Sequence, residues 1–196
     1  MKQKFVILLI ALVFILGCQS EKDNPDRKYQ VKSGVITYDT QLKTISVNLS
    51  YITIVYFDDY GSKERRDTYE DGQLKESFIC NGISLYQVSH QKKTAWKTGV
   101  AIHGTEPRFS IANLPKEDIK SGKIVMMPGE LIAGKDCEIY RVNTGVATAT
   151  YGGWKNISML SEVKSPGGTS LMKAVNIETI PVDDVKFRLP TNYILK

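Results

Sequence analysis

Polar and apolar residues alternate along most of this chain with a period of two, the repeat of β-strands rather than helices. Val35-Ile36-Thr37-Tyr38 opens the pattern. Thr44 to Leu49 continues it and predicts a strand with Ile45, Val47 and Leu49 on one face. Tyr51 to Phe57 is apolar on both faces, as a central strand would be. Asp58-Asp59-Tyr60-Gly61 and Asp71-Gly72 are turn signals, the second a strong hairpin signal. Further strands are predicted at Ile83 to Ser89, Thr94 to Lys97, Ala147 to Tyr151, Trp154 to Val163 and Thr169 to Ile177, with a hairpin over Glu130 to Val142 turning at Ala133-Gly134-Lys135. The one helix signal runs from Asn113-Leu114-Pro115 to a stop at Gly122, with proline in the first turn. Ile180 to Pro190 reads as an extended closing segment with two proline breaks. Strands of this number predict a mainly β fold: a curved antiparallel sheet or unclosed barrel with one or a few short helices.

The first residues follow another logic. Lys2 and Lys4 precede an unbroken apolar run, Phe5 to Leu16, too short to span about 30 Å of hydrocarbon comfortably and suited to an export signal. Its ending, Ile15-Leu16-Gly17-Cys18, resembles a bacterial lipobox, which implies cleavage before Cys18 and acylation of that cysteine. Gln19 to Lys28 is polar, contains proline and reads as a disordered tether. The expected organisation is therefore a signal peptide at 1–17, a lipidated cysteine and tether at 18–28, and one domain at 29–196. With Gln19 rather than aspartate after the cysteine the segment resembles that of outer-membrane lipoproteins, and this resemblance implies residence in the outer membrane, facing the periplasm or the cell surface.

Charge narrows the partners. With the leader removed, 24 basic residues stand against 21 acidic ones, a net of +3, and no basic cluster is interleaved with aromatics, so nucleic acid is not an expected partner. The densest charge run, Lys63-Glu64-Arg65-Arg66-Asp67, mixes signs and predicts a solvated hairpin edge. Cys80 and Cys137 remain after the anchor; an oxidising envelope permits them to pair, and two buried thiols are the equal alternative. His90 and His103 have no second metal-type residue at ligand spacing, so no metal or other cofactor is expected, and His90 reads as a surface residue. No nucleophile elbow, zinc-protease or phosphate-loop motif is present, and the adjacent carboxylates Asp58-Asp59 and Asp183-Asp184 would point to opposite faces of a strand, so an enzyme is not expected.

The apolar residues carry more. Met127, Met159 and Met172 place flexible side chains on three separate segments, and Phe57, Trp96 and Trp154 can join them as the lining of an adaptable cavity; a well-packed core is the plainer reading of the same six.

Several short stretches occur in an order that carries a resemblance: Lys32 to Tyr38, Val55 to Gly61, Lys97-Thr98-Gly99, Ala133 to Tyr140, Trp154 to Ile157, and Ile180-Pro181 to Phe187-Arg188-Leu189-Pro190. Together they resemble uncharacterised bacterial envelope proteins with the LolA/LolB lipoprotein-carrier fold. That resemblance implies a curved antiparallel sheet, an unclosed barrel lined with apolar and aromatic side chains, and an apolar ligand such as a lipid or a lipoprotein acyl chain. The alternative is a structural lipoprotein with a filled barrel, meeting a protein partner through tyrosines such as Tyr56, Tyr60, Tyr69 and Tyr86.

Overall fold

The computed structural model describes residues 24, 27–100 and 108–196; the signal segment, Cys18, His103 and most of the tether lie outside them. Among the described residues twelve strands form one sheet. They are β1 (Gly34–Thr44), β2 (Asn48–Asp58), β3 (Lys63–Glu70), β4 (Gln73–Asn81), β5 (Ser84–Ser89), β6 (Thr94–Val100), β7 (Ile124–Ile132), β8 (Lys135–Asn143), β9 (Thr148–Trp154), β10 (Ile157–Ser165), β11 (Gly168–Glu178) and β12 (Ile194–Leu195), with one short helix, α1 (Lys116–Lys120), before β7. The strand order is β12-β6-β5-β4-β3-β2-β1-β11-β10-β9-β8-β7. Two antiparallel meanders, β1 to β6 and β7 to β11, are thus joined by the long-range pairing of β1 with β11; only the two-residue β12 runs parallel to its neighbour, β6.

The sheet curves without closing. Five register shifts interrupt its ladders, at Thr37/Tyr38, Thr68/Tyr69, Leu85/Tyr86, Met127/Glu130 and Ser158/Leu160, and bulges of this kind bend a strand and raise its twist. Glu130 of β7 reaches Lys173 of β11 at 2.8 Å although three strands separate them in the order, so the sheet rolls over at that end. Gly153 permits a close approach: a Cβ there would overlap the Phe109 ring, which packs on the β9 backbone while the Phe109 N–H donates to the Asn156 carbonyl at 3.0 Å.

Three expectations are corrected. Thr44 to Leu49 is not one strand but the tip of the β1–β2 hairpin, where the Thr44 N–H donates to the Val47 carbonyl at 2.7 Å and Ile45 is 97% exposed. Trp154 to Val163 is broken by a turn at Lys155-Asn156, both with positive φ (49° and 65°), between β9 and β10. The charged run at Lys63 to Asp67 is no solvated edge: β3 lies between β2 and β4, and Glu64 (0% exposed) and Asp67 (3%) are buried. Each has a cation, since Lys28 Nζ meets Glu64 Oε1 and Arg65 Nε meets Asp67 Oδ1, both at 2.7 Å. Within the closing segment, Asp184–Phe187 forms a 3-10 turn, started by the Asp183 carboxylate accepting from the Val185 N–H at 2.9 Å.

Arg27 and Lys28, at the end of the expected tether, are held by the body. Arg27 stacks 3.5 Å from the Tyr60 ring centroid, and the buried Tyr29 ring meets Phe57 edge-on at 5.0 Å. The Tyr29 N–H donates to the Tyr60 carbonyl and the Gln30 N–H to that of Lys155, each at 3.0 Å.

Candidate functional site

Paired residues on neighbouring strands share a face, so the register sorts the side chains. One row runs Ile177–Ile36–Val55–Arg66–Phe78–Gln87–Trp96 across six strand boundaries. On the opposite face the neighbouring row runs Val35–Tyr56–Arg65–Ile79–Tyr86–Lys97. The buried side changes along the sheet. On β1 and β2 the Ile36 face is buried, with Ile36 and Val55 at 0% exposure, and the other face is half-exposed. On β4 to β6 the Ile79 face is buried, because Leu189 and Tyr193 of the C-terminal segment pack on Ile79, Val88 and Ala95. The first face there, with Arg66, Phe78, Gln87 and Trp96, is half-exposed. A floor therefore passes from the packed apolar core out to a partly open surface, on which Phe78 and Trp96 alternate with the polar Arg66 and Gln87.

The six residues expected to line a cavity divide between those regions. Phe57 and Met159 are fully buried in the main core, and Met127, Trp154 and Met172 pack half-buried around it. Trp96 is not in that cluster; it stands half-exposed on β6, beyond the reach of β12, which pairs only with Thr94 and Ala95. Phe78 and Gln87 escaped notice in the sequence and Arg66 was read only as part of a solvated charge run, although Leu74, Glu76, Phe78 and Cys80 alternate as one strand face would. The Arg66 guanidinium lies 4.7 Å from the Phe78 ring centroid, and Gln87 donates to Glu76. Tyr38, on the buried face, donates its hydroxyl to the Ser158 carbonyl at 2.8 Å and so ties β1 to β10 across β11.

Cys80 and Cys137 are not bonded. They stand on strands seven positions apart in the sheet order, each buried and turned to a local carbonyl, Cys80 Sγ to Ser62 at 3.3 Å and Cys137 Sγ to Lys135 at 3.4 Å. Burial pushes the Cys137 thiol up to about 11, out of reach of nucleophilic chemistry at neutral pH.

The opposite face of β3 to β6 holds a polar chain. Arg65 and the Ser77 hydroxyl both donate to Asp67 Oδ1, Ser77 Oγ lies 2.7 Å from His90 Nε2, and His90 Nδ1 lies 2.9 Å from the Tyr193 hydroxyl. His90, expected at the surface, is thus part-buried, and burial lowers its pKa below the ordinary 6.5 against the opposing pull of Asp67. The order of donors identifies the job. Ser77 is wholly buried and gives its proton to Asp67, so it accepts from His90 and presents no nucleophile; the chain fastens the C-terminal segment through Tyr193. The tyrosines considered as exposed contacts are half-buried, with Tyr60 beneath Arg27 and Tyr56 4.4 Å from Lys186 Nζ. A 430 Å³ cleft beside Tyr86 is lined by Lys63, Asp184 and Arg188, whose charges satisfy one another at 2.7 and 3.0 Å. No group of three or more His, Cys, Asp and Glu able to hold a metal occurs among the described residues.

No family model and no curated protein matches this sequence. Solved structures do match. An uncharacterised conserved protein from Thermus thermophilus aligns with a TM-score of 0.57 at 7% identity, over 85% of this chain and 90% of its own. A LolA superfamily protein from Nitrosomonas europaea aligns with a TM-score of 0.40 at 10% identity, over 86% and 95% of the two chains. A domain described as that of an outer membrane lipoprotein-sorting protein, from Vibrio parahaemolyticus, gives 0.41 at 10% identity over 80% and 89%. The likeness at 0.57 is one of fold.

Proposed function

We propose that this chain is an envelope lipoprotein, acylated at Cys18 and resident in the outer membrane, that binds an apolar ligand, a lipid or a lipoprotein acyl chain, on the sheet face marked by Ile36, Val55, Phe78 and Trp96. The observation that carries the reading is the passage of that face from fully buried Ile36 and Val55 to half-exposed Phe78 and Trp96, while the C-terminal segment covers the reverse side of β4 to β6. An acyl chain laid along this floor loses its water contact there, and each buried methylene contributes about 0.8 kcal/mol. Four methylenes contribute roughly 3 kcal/mol before the cost of ordering the ligand.

Phe57 and Met159, at 0% exposure, support a second reading in which the interior is already filled and the protein serves as an interaction module. The two readings separate at Trp96. Binding of a fluorescent fatty-acid analogue is measured for the parent protein and for Trp96→Asp and Phe78→Asp. The ligand reading expects at least a tenfold loss in both variants with an unchanged far-UV spectrum; saturable binding that both variants retain removes this face as the site, and no binding by the parent favours the filled interior.

A further inference from the structure

The chain enters the body at one end of the sheet, and basic residues gather there. Asn24 is already fixed: its N–H donates to Gln30 Oε1 at 3.0 Å, Gln30 Nε2 donates to its carbonyl at 2.8 Å, and the Arg27 N–H donates to the same carbonyl at 3.1 Å. Backbone bonds then stitch this entry segment to the turns around it, Tyr29 to Tyr60, Tyr60 to Lys32, Gln30 to Lys155 and, beside them, Phe109 to Asn156. Arg27, Lys32, Arg108 and Lys155 are brought together by those bonds, and Lys135 joins them over Trp154. The half-buried Trp154 ring has Lys135 Nζ 5.0 Å and Lys155 Nζ 5.2 Å from its centroid. The acids at this end are Asp58, Asp59, Asp136 and Glu178, while Glu64 is taken up by Lys28 and Asp184 by Lys63 and Arg188. Basic side chains around an interfacial tryptophan are the chemistry that meets a lipid headgroup layer.

Length fixes where this end must be. Five residues, Gln19 to Asp23, separate Cys18 from Asn24, a reach of about 20 Å fully extended. We propose that this end of the sheet, with Arg27, Lys32, Arg108, Lys135 and Lys155 around Trp154, docks on the anionic headgroups of the membrane that holds the chain. The hairpin tips at Ile45 and Val146 then point away from that membrane, because β1 runs from the entry end to its tip at Thr44 over eleven residues. The inference rests on anchoring at Cys18, and it adds an orientation that anchoring alone does not supply.

The test uses the full chain carrying Trp96→Phe, so that Trp154 is the only tryptophan, incorporated from detergent into vesicles of neutral phosphatidylcholine or of the same lipid with 30% phosphatidylglycerol. Quenching of Trp154 by headgroup-level nitroxide lipid is expected to be several-fold stronger in the anionic vesicles and to fall with added salt. Each basic residue near such a surface is worth about a factor of five, so Lys32→Gln, Lys135→Gln and Lys155→Gln together should weaken the docking equilibrium by roughly 100-fold and return quenching to the neutral-vesicle level. Equal quenching in both vesicles, or an anionic effect that survives the triple replacement, overturns the proposal. Anchoring is read separately, from the mass of the peptide that contains Cys18, and an unmodified cysteine would refute that part alone.

Discussion

Removing Lys28 should destabilise the whole body, although the residue sits at the root of a sequence that reads as a tether. Its Nζ meets Glu64 Oε1 at 2.7 Å, its side chain is 8% exposed and that of Glu64 is 0% exposed. An ion pair this deep gives modest net stability when intact, since both ions lost their hydration on folding. Taking away one partner leaves a carboxylate in the interior facing fewer donors, and a loss of that kind costs about 3–5 kcal/mol. For a body of this size each kcal/mol moves the melting midpoint by about 2–4 °C, so Lys28→Met should lower it by roughly 6–20 °C. Glu64→Gln alone should cost less, because the amide carries no charge, and Lys28→Met with Glu64→Leu should recover most of the loss. The assay is urea unfolding of the parent, both single variants and the double, read as a cycle. A change below about 1 kcal/mol for Lys28→Met would show that the entry segment is not part of the cooperative fold, and the fixed tether root used to orient the body would fall with it.

Other consequences are sharper in direction than in size. Gly153→Ala forces a methyl into the Phe109 ring and should cost about 1–3 kcal/mol by urea unfolding, with part of the loss restored by a second change, Phe109→Leu; an unchanged midpoint would deny the close packing. Ile45→Asp at the 97% exposed hairpin tip should leave the unfolding midpoint within about 0.5 kcal/mol of the parent, whereas a strand interior would not tolerate it. The pKa of His90 lies below 6.5 in the folded protein because of burial, so the unfolded chain takes up the proton first. Its contribution to stability is complete above pH 6.5 and is lost as pH falls from there through the lower folded value; a urea midpoint that does not drop between pH 7 and 5.5 more for the parent than for His90→Gln would contradict this. Cys137, raised to about 11 by burial, should resist iodoacetamide at pH 8 until urea unfolds the sheet, and labelling at a free-thiol rate in the native state would refute its placement.

The sequence announced its hairpins where turn chemistry is specific and hid them where it is not. Asp71-Gly72 and Ala133-Gly134 take positive φ, and both pairs contain the residue best suited to it. Lys155-Asn156 adopts the same backbone with a lysine in first place, and nothing in that residue type marks a turn. Ile45, Val47 and Leu49 kept the alternation of a strand through a hairpin tip, so periodicity alone carried the prediction past the reversal. Burial of Glu64 depended on Lys28, 36 residues earlier, and burial of Asp67 on Ser77 across a strand pair; neither partner can be chosen from composition. The candidate site shows the same limit. The aromatic and methionine residues were visible as apolar outliers, but which of them share a face was set by registers running across the sheet. Those registers put Trp96 in a row with Ile36 and Phe78 and left Phe57 and Met159 in the packed core.

Native mass spectrometry of the body from Gln19 onward, expressed in a bacterial envelope and purified without detergent, tests the central claim most directly. A fraction of the protein carrying a bound species of lipid mass, which Trp96→Asp loses, is the predicted result. A clean mass of the bare chain, unchanged after incubation with envelope lipids, would contradict it and place the function on the outer surface of a filled fold.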